Sequence, residues 1–96
     1  MVIGVCKVVL AMDEVFSLKE KRHIVKSLVE RIKSRFNASV AEVDLNDKWK
    51  RAVIGISCVS NEVRHADSMM ASIVNFIERD NRAVLFDYST EIIHVD

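Results

Sequence analysis

The chain has 96 residues, half of them hydrophobic and 29% charged, with two glycines and no proline. That is enough for one compact core and too little for two, and it excludes a disordered chain. No apolar run approaches the roughly 18 residues that a membrane-spanning helix needs. Fourteen Lys and Arg balance fourteen Asp and Glu, so any attraction to nucleic acid or to an acidic membrane must be local.

Two cysteines, Cys6 and Cys58, lie in apolar stretches without Cys-x-x-Cys spacing, which argues against both a disulfide framework and a zinc site and for a reducing, cytoplasmic setting. The N-terminus lacks the basic segment, apolar core and small-residue cleavage site of a signal peptide.

Val2 to Met12, rich in Val, Ile and Leu with Lys7 as its one charge, is expected to be a buried central strand. Ser17-Leu18-Lys19-Glu20 has the form of a capping box and opens a helix over 18–36, with Leu18, Val25, Leu28, Val29, Ile32 and Phe36 on its apolar face and Asn37 as its left-handed terminus. Val40 to Leu45 alternates apolar and acidic residues, Asn46-Asp47-Lys48 turns, and 50–59 returns as the second strand of an antiparallel hairpin. Ser60 and Asn61 cap a second amphipathic helix over 61–79, closed by Asp80-Asn81, and 84–95 is the last strand. The order strand, helix, strand, strand, helix, strand predicts a ferredoxin-like α+β domain, βαββαβ, with a four-stranded antiparallel sheet of order 4-1-3-2 and both helices on one face.

Ser17-Leu18-Lys19-Glu20-Lys21-Arg22, Ala41-Glu42-Val43-Asp44 and Trp49 with Arg51-Ala52 together resemble the YlxP-like family of small bacterial proteins. The resemblance spans nearly the whole chain and implies the same ferredoxin-like fold. The family is one of unknown biochemical function, so it supplies no catalytic residues. Its genes often neighbour those of transcription and translation factors, which associates it with RNA or ribosome work.

The balanced total hides an asymmetry. Residues 17–36 carry seven basic side chains against Glu20 and Glu30, a net of +5, and the remainder carries −5. At about 100° per residue, Lys19, Arg22, Lys26 and Lys33 fall along one flank of the first helix, with Lys21, Arg31 and Arg35 toward the other. Such a stripe can neutralise successive phosphates of RNA, or it can simply solvate the helix. The start of this helix, the Lys48–Arg51 hairpin and the Arg79–Arg82 junction are expected to form one rim. There Trp49 either stacks on a base or closes the core with its indole N–H on a turn carbonyl, and Arg51 bridges phosphate and the acidic strand. Seven acids share that rim and leave it a net of only +1.

On the sheet face away from the helices, alternation gathers Ile3, Val5, Lys7, Val9, Val53 and Ser57, too apolar a set for solvent, which predicts a homo-oligomer interface, a dimer being favoured. Lys7 or Arg51 is expected to pair with Glu42 or Asp44, which share a strand face at i, i+2 spacing; two such carboxylates alone do not make a metal site. The aromatic strand signature of an RNA-recognition motif is missing, as are glycine-rich nucleotide loops, and the three histidines are dispersed. No catalytic residue, cofactor or metal is therefore expected. The sequence favours a non-enzymatic accessory protein, RNA- or ribosome-associated through Lys19, Lys21, Arg22, Lys26, Trp49 and Arg51. The alternatives are a homo-oligomeric regulatory or scaffolding protein working through its open sheet and, third, a small phosphate-ester or acylphosphate hydrolase using Asn61 and Arg64.

Overall fold

The computed structural model describes residues 1–96. It contains β1 (Val2–Ala11), α1 (Leu18–Arg35), β2 (Ser39–Asp44), β3 (Arg51–Ser60), α2 (Val63–Glu78) and β4 (Val84–His94). The sheet has the order β2-β3-β1-β4 with every neighbouring pair antiparallel. This is the ferredoxin-like arrangement anticipated above, since 2-3-1-4 and 4-1-3-2 are the same order read from opposite edges.

The even-numbered residues of β1, among them Cys6, Val8 and Leu10, are buried, and a Cβ placed on Gly4 would touch Ala66 and Met70 of α2. That is the helix-covered face. Ile24, Val25, Leu28 and Ile32 of α1 and Ala66, Met70, Ile73, Val74 and Ile77 of α2 close one continuous core against it. The odd-numbered residues of β1 point the other way, and no element crosses them. None of the helices is long and apolar enough to cross a membrane.

The helix ends follow local chemistry. The Ser17 hydroxyl accepts the Glu20 amide at 3.1 Å, while the Glu20 carboxylate takes the amide of Phe16, one residue before the cap. Asn37 is not left-handed as expected. Instead α1 ends at Phe36 in extended backbone (φ −126°), and the Phe36 ring is fixed edge-on to Phe76 at 5.7 Å, so packing stops the helix. For α2 the cap is Glu62, whose amide is taken by the Ser60 hydroxyl at 3.1 Å.

Two irregularities bend the sheet. Pairing slips between Val9 and Leu10, leaving Phe86 of β4 as the extra residue, and again between Glu42 and Asp44 of β2. The second slip reverses a side. Glu42 stands opposite Ile54 on the helix-covered face, whereas Asp44 stands opposite Val53 on the open one. The two carboxylates therefore do not share a face, which corrects the strict alternation read from Val40–Leu45.

Candidate nucleic-acid interface

The cations of α1 separate into those spent on the fold and those left free. Lys21 is completely buried, its ammonium bound to the Glu42 carboxylate and to the carbonyl oxygens of Leu45 at 3.0 Å and Asn46 at 3.4 Å. Leu45 is the one non-glycine residue with a positive φ (57°). Lys21 thus fastens the start of α1 to the β2–β3 turn and is withdrawn from solvent, so it does not serve as a phosphate contact. The expected pairing of Glu42 with Lys7 or Arg51 is replaced by this one, because the bulge turns Glu42 toward α1.

Asp80 collects a second group. It accepts the Arg31 guanidinium at 2.5 Å and the Arg82 and Ala83 amides, while Arg82 reaches the Ser27 hydroxyl at 3.3 Å. Burial alone would raise this carboxyl's pKa. The hydrogen bond and charge of Arg31, with the two amides, outweigh it and hold the pKa below the ordinary 3.8. These contacts dock the Arg79–Arg82 junction on the second half of α1, away from its start. At the sheet itself, Arg51 and Val84 both pair with Ala11, so the hairpin and the Arg79–Arg82 junction share one end of it as expected, the junction reaching α1 at its middle rather than at its start.

Arg51 is also engaged, with Asp13 at 3.1 Å and over the Phe86 ring at 5.2 Å, so it belongs to the open sheet face and does not bridge to the acidic strand. Arg35 lies over Phe76 at 5.3 Å, and with Lys33 it occupies the last turn of α1, where cations complement the negative end of the helix.

Lys19, Arg22 and Lys26 remain exposed, and no carboxylate lies within 4.0 Å of them. They run along about 10 Å of the first half of α1, and Lys19 lies in its first turn, where the helix dipole is positive. Trp49 is 45% exposed, and its indole N–H finds no acceptor in the chain, so it does not close the core. Because Lys21 ties the turn at Leu45 and Asn46 to α1, the hairpin carrying Trp49, with exposed Lys48 and Lys50, is held at the same end of the molecule as the free cations.

The remaining candidates have other surroundings. The register places Ile3, Val5, Lys7 and Val9 of β1 and Val53 and Ser57 of β3 on the open face. Val53 is already buried within one chain, whereas Lys7 is exposed. Cys6 and Cys58 are buried free thiols, and burial pushes the Cys6 thiol up from its ordinary 9.0, away from nucleophilic chemistry. Asn61 and Arg64 are exposed at the start of α2. No three His, Cys, Asp or Glu side chains converge as metal ligands would.

Residues 3–90 match the family model described as "Protein of unknown function (DUF503)". The chain belongs to this DUF503 family. It is also similar to the uncharacterized protein YlxP of Bacillus subtilis (strain 168), 34% identical over 62 residues that make up 65% of this chain and 67% of that protein. The family's description assigns no activity.

Proposed function

We propose that this DUF503 protein is a cytoplasmic, non-enzymatic binding protein that holds single-stranded RNA, free or within a ribosomal assembly, at the end where α1 meets the β2–β3 hairpin. The observation that carries the reading is the placement of Lys19, Arg22 and Lys26, three solvent-facing, unpaired cations along one flank of the first half of α1. An arrangement that repels itself in the free protein is relieved by phosphate. In this reading the three side chains contact successive phosphates and Trp49 offers its ring to a base, a sequence-tolerant mode. Two free, buried thiols and the absence of a disulfide fit a reducing compartment.

The test is titration of a labelled, unstructured 12-nucleotide RNA at several salt concentrations. Three phosphate contacts predict that log K falls with log salt at a slope of about −2. The triple variant Lys19→Glu, Arg22→Glu, Lys26→Glu should abolish binding while its circular dichroism stays native. Absence of binding by the native protein, or affinity indifferent to salt, refutes the reading.

A further inference from the structure

The sheet face opposite the helices has no cover within the chain. Its strip from Ile3 through Val5 and Val9 of β1 is half-buried, and it is flanked by Val59 of β3 (66% exposed), Val43 of β2 (56%), and Phe86 (66%) and Ile93 (42%) of β4. Val43 belongs here because its methyl lies against Gly55, which stands opposite Lys7. Monomeric proteins rarely leave so continuous an apolar surface wet.

The charges on this face identify what fits it. Lys7, at its centre, stands opposite Ser89 of β4, with Asp87 and Glu91 one step away on either side along the same strand. Arg51 lies on the same face toward the hairpin. Nucleic acid or an anionic membrane would meet the carboxylates of β4, and a strongly basic partner would meet Lys7 and Arg51. A surface carrying both signs is matched by itself. Size agrees: strands of 10, 6, 10 and 11 residues set about 4.8 Å apart with a rise of about 3.4 Å per residue give a flat footprint of roughly 600 Å² per copy and about 1,200 Å² for two, above the roughly 1,000 Å² that a specific interface needs.

We infer that the open face is the interface of an isologous homodimer in which two copies stack sheet against sheet, with Ile3, Val5, Val9 and Ile93 making the apolar contacts to either side of Lys7 and each Lys7 balanced by the carboxylates of Asp87 and Glu91 of the other copy. Stacking this way leaves both α1 helices outside, so the inference neither requires RNA binding nor conflicts with it.

Sedimentation equilibrium of the native chain should give twice its 10.9 kDa mass. In a 1:1 mixture of isotope-labelled and unlabelled protein, filtered nuclear Overhauser spectra should show intermolecular contacts from the methyls of Ile3, Val5 and Ile93. Val5→Lys should sediment as a monomer. Lys7→Glu and Glu91→Lys should each weaken self-association at least tenfold, and mixing these two variants should restore a dimer of native affinity. That restoration is not expected if the charges balance only within a chain, and it also decides the matter should Val5→Lys not fold. A monomer at millimolar concentration, a dimer with contacts elsewhere, or no recovery on mixing overturns the inference.

Discussion

Lys21 and Glu42 join α1 to β2 through an ion pair in which the lysine has no contact with water, and the lysine's other hydrogen bonds end on the carbonyls of Leu45 and Asn46. Removing one member strands the other, so Lys21→Ala should cost about 3–5 kcal/mol in urea unfolding, whereas Lys21→Met combined with Glu42→Leu should lie much nearer the native value. A single-variant loss below about 1 kcal/mol would show that the pair contributes little. Amide exchange adds a second readout: in Lys21→Ala the amide of Lys48, bonded to the Leu45 carbonyl at 3.0 Å, should exchange faster as the turn loosens, while the core of β1 keeps its protection relative to global unfolding.

Asp80 makes stability depend on acid. Its carboxyl pKa is depressed in the folded protein, so the unfolded chain binds the proton more readily, and the contribution is fully present above the unfolded value of about 3.9 and lost as pH falls through the folded one. Asp80→Asn should therefore be less stable than the native protein at neutral pH by roughly 1–3 kcal/mol. The gap should narrow as unfolding is measured below about pH 4. A gap that is constant from pH 7 to pH 2.5 would mean that the carboxylate's charge plays no part in docking the α2–β4 junction on α1.

The element order, both helices and the helix-covered core were legible because hydrophobic period and capping chemistry are local. The placement of the cations was legible in part. Lys21 lies four residues before Val25 and seven before Leu28, so helical arithmetic sets it on the apolar arc, but a lysine is ordinarily assigned to solvent and the partner that lets it stay buried arrives through β2. That partner is itself displaced by the bulge between Glu42 and Asp44, and a bulge leaves no trace in an alternating pattern. The docking of Asp80 onto Arg31, 49 residues away in sequence, is likewise a tertiary outcome. The helix end at Phe36 went to packing against Phe76 over the local preference of Asn37. The exposure of Trp49 depends on where the turn is fastened.

Gly55 has no room for a side chain. A Cβ there would lie 2.8 Å from the Val43 Cγ1, closer than non-bonded carbons approach, and a β-branched side chain has few rotamers into which to retreat. Gly55→Ala should lower stability by about 1 kcal/mol. In a Val43→Ala background the same change should be neutral or slightly favourable, since alanine suits a strand better than glycine does. Equal losses in both backgrounds would locate the constraint elsewhere than in Val43.

The first half of α1 separates stability from binding. Lys19 sits in the first turn, where the helix dipole is positive and no carboxylate approaches within 4.0 Å, so it works against the helix by about 0.3–1 kcal/mol, and Arg22, just beyond that turn, is repelled by Lys19 and Lys26 at i, i+3 and i, i+4 spacing. Lys19→Glu and Arg22→Glu should each raise the melting temperature, by several degrees together if ΔΔG reaches 1 kcal/mol, and the gain should shrink in high salt. Both should weaken RNA affinity. Lys33→Glu, the same charge change in the last turn, should lower the melting temperature because it opposes the negative end of the helix. In the proposed reading these cations are kept for phosphate rather than for the helix. Were Lys19→Glu and Arg22→Glu instead destabilising, the two side chains would be holding the fold, and the case for a phosphate site along this flank would fall with them.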